Sequence, residues 1–231
     1  MPRIGRRITP GLERGAMGFM QSGDFPVPVL HAKFDENTGD IAYDSSPEGN
    51  DGTIEGASWV KGWLGPGLSF DGLDNYVDFG TDSSMKPASA ITVLSRVYID
   101  LALTTAHMDN YARIVDVADG IRLWYTPDNK RIIVSPRLTI AGTSSVGYTV
   151  PATGWYDIAF IFNGTSYAYY INSVLKNLVS MDADTIDYNL TTIYVGGRGV
   201  ELSFEGIIDE VLIFDEVLTA AQIRQHHQGY R

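Results

Sequence analysis

The sequence predicts an all-β protein: two packed antiparallel sheets with one short helix near the C-terminus. Three observations carry this. Glycine and tyrosine are abundant, 24 and 13 of 231 residues, and lysine is scarce, which favours turns and aromatic-bearing strands over helices. From Val27 onward, short apolar runs alternate with clusters of Gly, Asn and Asp. In one of the longer runs the period is two: Tyr156, Ile158, Phe160 and Phe162 share a face, while Ala159 and Ile161 point the other way. Two largely apolar faces mark that strand as a central one, between layers.

Taken in chain order, residues 1–26 read as an extended N-terminal arm and residues 27–231 as the domain. The first 23 residues hold Arg3, Arg6, Arg7 and Arg14 against Glu13, a formal +3, which leaves −14 on the remainder of a chain whose net charge is −11. The stretch has no period, and its charge is that of a signal n-region with no apolar h-region after it. Two readings stay open: a disordered terminus, or an arm held by a partner chain. "GLSFDGLDNYVDFG" (67–80) reads as two strands, and its Asp71, Asp74 and Asp78 as turn residues, metal ligands or catalytic acids. "IRLWYTPDNKRIIVS" (121–135) reads as two strands around Pro127–Asn129. Residues 154–179 read as three strands, with turns at Asn163–Gly164 and near Asn172–Ser173. "LTAAQIRQHHQG" (218–229) reads as a helix near 219–228, opened by the capping-box pair Thr219 and Gln222 and ended by Gly229.

The balance of charge speaks against a nucleic-acid partner, which needs a basic patch. No apolar run approaches a membrane span, and the absence of cysteine removes disulfide and thiolate chemistry.

"FEGIIDEVLIFDEVLTAAQI" (204–223) resembles the closing strand and helix of laminin G-like domains in the concanavalin A-like lectin/glucanase superfamily. "FDGLDNYVDFG", "GWYDIAFIFNG", "IYVGG" (193–197) and the stretch from His31 to Gly56 resemble further family segments, in the family's order. Ser173 and Asp157 depart from its usual residues. The resemblance implies an antiparallel two-sheet jelly-roll sandwich, concanavalin A-like. It implies that Asp71–Gly72 and Asp74–Asn75 are turn formers and that Trp155 holds a core position. Many members carry a structural Ca²⁺ between the first and last strands, which here would draw on Asp35, on Asn50 and Asp51 in the loop that follows, and on Asp209. From the residues themselves, Asp209 shares its phase with Ile207, Val211 and Ile213, and a carboxylate on an apolar face needs a partner. Backbone N–H groups or an arginine such as Arg198 would serve as well as Ca²⁺. Zinc is disfavoured, since His31, His107, His226 and His227 have no cysteine to join them.

Glucanases on this fold place their acids in a Glu-x-Asp-x-x-Glu strand. Residues 205–210 and 209–216 both miss that spacing, so the expectation is a non-enzyme. Trp59 and Trp63, in a Gly-rich segment, are the aromatics expected to be partly exposed and to stack on sugar. Two functional expectations follow. The first is a structural or adhesive component of a phage or virus surface (decoration, capsid or tail), anchored by its arm to other subunits or to copies of itself. The alternative is a secreted, extracellular carbohydrate-binding module of lectin type.

Overall fold

The computed structural model describes residues 25–103, 111–199 and 202–229. The arm arginines Arg3, Arg6, Arg7 and Arg14, and His107, lie outside the described residues. The strands, in chain order, begin with β1 (Leu30–Ala32), β2 (Ile41–Ala42), β3 (Gly52–Glu55), β4 (Ser58–Lys61), β5 (Pro66–Asp71), β6 (Tyr76–Asp78) and β7 (Ile91–Ile99). They continue with β8 (Ala112–Val117), β9 (Ile121–Thr126), β10 (Arg131–Leu138), β11 (Gly142–Thr143) and β12 (Val146–Thr149). Last come β13 (Gly154–Phe162), β14 (Ser166–Ile171), β15 (Val174–Ser180), β16 (Ile193–Val195) and β17 (Glu205–Phe214), then the helix α1 (Ala220–His227).

These strands form two antiparallel sheets. One runs β15-β14-β13-β7-β17-β5-β4, with β1 paired to the end of β17; the other runs β11-β10-β9-β8-β16-β6-β3-β2, with β12 on β10. The core lies between them. Ile91, Val93, Val97 and Ile99 of β7, and Tyr156, Ile158, Phe160 and Phe162 of β13, face Ile114, Val117, Leu123 and Tyr125 of the second sheet in one cluster. Ala159 lies on the opposite face of β13, in a smaller cluster with Leu94, Leu212, Phe214, Leu218 and Ile223, and Ile161 packs against it. Helix α1 thus covers the outer face of the first sheet, and β13 is sandwiched between layers as its two apolar faces predict.

The punctuation is also where the sequence puts it. Thr219 and Gln222 complete a capping box at α1. Gly164, Asn172 and Ser173 have positive φ at the two turns between β13, β14 and β15, so Ser173 adopts the left-handed geometry that glycine usually fills. Asp71 accepts from Leu73 N–H at 2.9 Å, Asp78 from Gly80 N–H at 2.7 Å, and Asp74 from the Asn75 amide at 3.3 Å. All three aspartates thus serve local turns and strand ends. One detail differs from a simple hairpin: β5 and β6 join different sheets, so the turn at residues 72–75 carries the chain from one layer to the other. Among the described residues, no helix is long and apolar enough to cross a membrane.

Candidate functional site

The outer face of the first sheet carries a line of charge across three neighbouring strands. Asp157 of β13 pairs in register with Arg96 of β7, and Arg96 with Glu210 of β17. The second pairing depends on a β-bulge. Ile208 stands opposite Val97 and Glu210 opposite Arg96, so Asp209 is the extra residue. A bulge shifts the phase of a strand. Ile207, across from Tyr98, therefore lies on the outer side, and Val211 and Ile213 lie in the core. The single shared face expected for Ile207, Asp209, Val211 and Ile213 does not exist, because the bulge falls among them.

Arg96 is 2% exposed and organises this face. Its Nε donates to Asp157 Oδ1 at 2.5 Å and its Nη2 to Oδ2 at 3.2 Å. Nη2 also reaches the carbonyls of His226 and His227, at 3.3 and 3.5 Å. These are terminal carbonyls of α1, where a cation is favoured by the helix dipole. His227 Nδ1 donates to Asp157 Oδ2 as well. On the other side of Arg96, Glu210 is almost fully enclosed and meets His31 Nε2 at 2.8 Å and His226 Nε2 at 3.0 Å. Burial alone pushes the Glu210 carboxyl up. Hydrogen bonds and charge from His226 and His31 outweigh it and hold the group well below the usual carboxylate range.

Beside this network lies a cleft of about 230 Å³, lined by Trp63, Arg96, Trp155, Asp157, Asn172 and His227. Trp155 neighbours Asp157 on the outward phase of β13. It meets Trp63 edge-on at 6.1 Å between ring centroids and Tyr98 at 5.5 Å. Trp155 is therefore half-buried on the outer face, and the core position expected for it is corrected; Tyr156 takes the inward place. Alternation with the inward Tyr156 and Ile158 is the signal that would have placed Trp155 beside Asp157. Trp63 is 51% exposed, and the Arg96 guanidinium carbon sits 5.9 Å from its ring centroid.

Trp63 is held by a tight turn between β4 and β5, closed by Gly62 N–H to Gly65 O at 2.7 Å. Asp209, fully buried, accepts from the N–H of Trp63 at 2.5 Å and of Leu64 at 3.4 Å. Glycine suits the turn, most strictly at Gly62. A Cβ at Gly62 would lie 2.3 Å from Asp209 Oδ2 and 2.7 Å from the Pro66 carbonyl, and one at Gly65 would lie 2.9 Å from Asp35 Oδ1. Asp35 and Asp209 thus meet the same turn from its two ends.

The four residues expected to hold Ca²⁺ are divided. Asn50 donates from its side chain to the Val29 carbonyl and to Ser84, and Asp51 accepts from Asp44 N–H. Both belong to a loop organised by Asp44, whose carboxylate accepts from the N–H groups of His31, Ser46 and Asn50. Asp209 meets the backbone of the Trp63 turn instead. Among the described residues, no three His, Cys, Asp or Glu side chains are grouped to hold a metal ion. A Ca²⁺ ion drawing on all four would have to share or displace these bonds while gathering six to eight oxygens.

The other tryptophans differ in kind. Trp59 is half-buried against the main core and donates from Nε1 to the Gly39 carbonyl at 2.9 Å; it braces the β2–β3 side and lies outside the Trp63 cleft. Trp124, on the outer face of the second sheet, is 6% exposed beneath Arg113 and Arg122. Trp63 is the indole that the described surface offers most fully to a ligand.

The profile of the concanavalin A-like lectin/glucanases superfamily matches residues 70–224. No curated protein sequence matches the chain. Among solved structures, the binding domain of Paraclostridial mosquitocidal protein 1 is similar, with TM-score 0.72 and 13% identity over 88% of this chain and 52% of that one. Domain 4 of AbnA, a GH43 extracellular arabinanase from Geobacillus stearothermophilus, solved with arabinotriose, has TM-score 0.64 and 18% identity over 87% of this chain and 98% of that one. The botulinum neurotoxin serotype D binding domain has TM-score 0.68 and 14% identity over 88% of this chain and 52% of that one. The chain therefore spans about half the length of the toxin binding domains it matches. At these identities the likeness is one of fold, a jelly roll used by binding domains.

Proposed function

This chain belongs to the concanavalin A-like lectin/glucanase superfamily, and from that premise we propose that it is a non-catalytic carbohydrate-binding module whose ligand lies in the Trp63–Trp155 cleft. The observation that carries the reading is the cleft's composition. A half-exposed indole stands edge-on to a second one, next to an arginine, a carboxylate, an amide and an imidazole. Sugars combine an apolar C–H face with a rim of hydroxyls, and a site that recognises them needs an aromatic surface with a few convergent polar groups. Two neighbours support the reading by analogy of fold: one was solved with arabinotriose, and a botulinum binding domain was solved with SialylT.

The state of the acids supports a binding role over hydrolysis. Glycoside hydrolysis needs one carboxyl held protonated as a general acid. Glu210 is shifted the opposite way and enclosed by two histidines. Asp157 is gripped by Arg96 and His227.

An extracellular place suits a glycan-binding module. The particle-surface reading rests on residues 1–26, nearly all outside the described residues, and nothing in the cleft favours it over a free module. Its own test is whether a chain lacking residues 1–23 still enters an assembly.

The test of the binding reading is a glycan array followed by calorimetry, with Trp63→Ala as the control. Loss of a stacking indole is expected to weaken binding by roughly tenfold or more. The melting temperature should hold, since Trp63 lies half outside the fold. Unchanged affinity in Trp63→Ala would move the site elsewhere.

A further inference from the structure

We infer that the cleft selects uncharged sugars, reading hydroxyls through Arg96 and Asp157 together, and that it discriminates against uronic and sialic acids. The inference rests on the binding reading above and narrows it. It begins from an orphan donor. Arg96 is 2% exposed, its Nη1 is buried with no hydrogen-bond partner, and the residue is one of those lining the cleft. A buried donor without an acceptor is costly to keep, and an acceptor carried in by a ligand would satisfy it.

Three features decide what that acceptor is. A carboxylate is gripped best by two parallel N–H groups of a guanidinium. The Nε–Nη2 edge of Arg96 is already spent on Asp157, and Nη2 also serves the His226 and His227 carbonyls. An incoming acid would find a single nitrogen. Charge is the second feature. Asp157 lines the same cleft, and Glu210 follows Arg96 on the next strand. The guanidinium is flanked by carboxylates on both sides, with His227 on Asp157 and His31 and His226 on Glu210, and an acid entering beside Asp157 meets its carboxylate at short range. Hydrogen-bond capacity is the third. The two oxygens of a carboxylate offer about four acceptor directions. At Asp157, Arg96 Nε, Arg96 Nη2 and His227 Nδ1 occupy three.

One acceptor direction thus remains next to one unpartnered donor. A hydroxyl both donates and accepts, so one or two adjacent hydroxyls fit Asp157 and Arg96 Nη1 together. A carboxylate accepts only and would leave Asp157 unmatched. Asn172 adds its NH₂ group, since its oxygen is engaged by Asp157 N–H at 2.9 Å.

The test is calorimetry of the full chain at physiological salt. The probes are neutral gluco-, galacto-, xylo-, manno- and arabino-oligosaccharides, oligogalacturonides of matching length, and sialyllactose. The expected result is that at least one neutral sugar binds and that the acidic sugars bind at least about tenfold more weakly, the size expected for one mispaired charged contact. Asp157→Asn should narrow that gap by removing the repelling charge, with circular dichroism to confirm the fold. The wild-type comparison stands whether or not that variant folds. Acidic sugars binding as tightly as neutral ones would overturn the selectivity and leave the binding reading intact. Binding of neither kind would overturn both.

Discussion

Replacing Glu210 tests whether the charged line across the outer sheet holds α1 and β1 in place. Its carboxylate is 1% exposed and accepts from His31 on β1 and His226 on α1. Alanine would leave both imidazole donors facing a void. Breaking such a buried pair from one side costs about 3–5 kcal/mol. Glutamine keeps the shape and one acceptor, so its cost is about 1.5–3 kcal/mol, the worth of one charge-assisted hydrogen bond. In a domain of this size each kcal/mol moves the melting temperature by roughly 2–4 °C, so Glu210→Ala should melt about 6–20 °C lower and Glu210→Gln about 3–12 °C lower. The pH dependence has a definite sign. A carboxyl whose folded pKa lies below its unfolded one stabilises fully above the unfolded value, and that contribution is lost as pH falls toward the folded value. Glu210 is depressed from 4.5. The gap between wild type and Glu210→Gln should therefore be full at neutral pH and close progressively in acid. Circular dichroism melts between neutral pH and about pH 3 measure both effects. A Glu210→Ala protein melting within about 1 °C of wild type at neutral pH, or a gap to glutamine that widens in acid, would refute the reasoning.

Other perturbations act at separate points. Gly196→Ala should cost about 2–4 kcal/mol in a denaturant titration, since φ is +81° and a Cβ would lie 2.0 Å from the Phe70 ring. Asp209→Ala strips the acceptor from the Trp63 turn and should cost about 2–4 kcal/mol while also weakening sugar binding, a joint loss that melting and calorimetry together detect. If Asp35, Asn50, Asp51 and Asp209 share no metal, excess chelator should leave the melting temperature within about 1 °C, because only a ligand bound to the native state stabilises it by mass action. A marked drop would restore a metal to the Asp35–Asp209 region.

The strands and their punctuation were legible because they are local. Period two in β13, the capping box of α1 and the aspartate turns each need only a few consecutive residues. Residues 67–80 were legible as two strands and a turn, but not as a crossing between layers, because a turn's residues do not say which neighbour each strand will find. The bulge at Asp209 was hidden for a related reason. "GIIDEVLIF" contains no glycine or proline at the irregularity, and a bulge is defined by the partner's register. The site inherits that blindness. Asp157, Arg96 and Glu210 are far apart in sequence and become neighbours only through the pairings of β13, β7 and β17. Trp63 was visible as an exposed aromatic in a Gly-rich segment, whereas Trp155 was assigned to the core although alternation already set it on the face of Asp157.

The single extra residue in β17 links the fold to the proposed binding surface. Without it, the residue at 209 would continue the alternation from Ile208 and stand across from Arg96, with Glu210 turned toward the core. The bulge instead gives two consecutive acids separate partners. Glu210 takes the outward place and joins His31 and His226, tying β1 and α1 to the sheet. Asp209 is released from the ladder position and binds the Trp63 and Leu64 N–H groups. The indole is thereby presented on a turn fixed by glycine sterics at one level and by a buried carboxylate at another. A recognition aromatic already held in place loses little freedom when a ligand arrives, so more of its stacking energy remains as affinity. Asp209 and Glu210 are in this way both committed to groups that position Trp63, α1 or β1, which is the arrangement the proposed binding role requires of them.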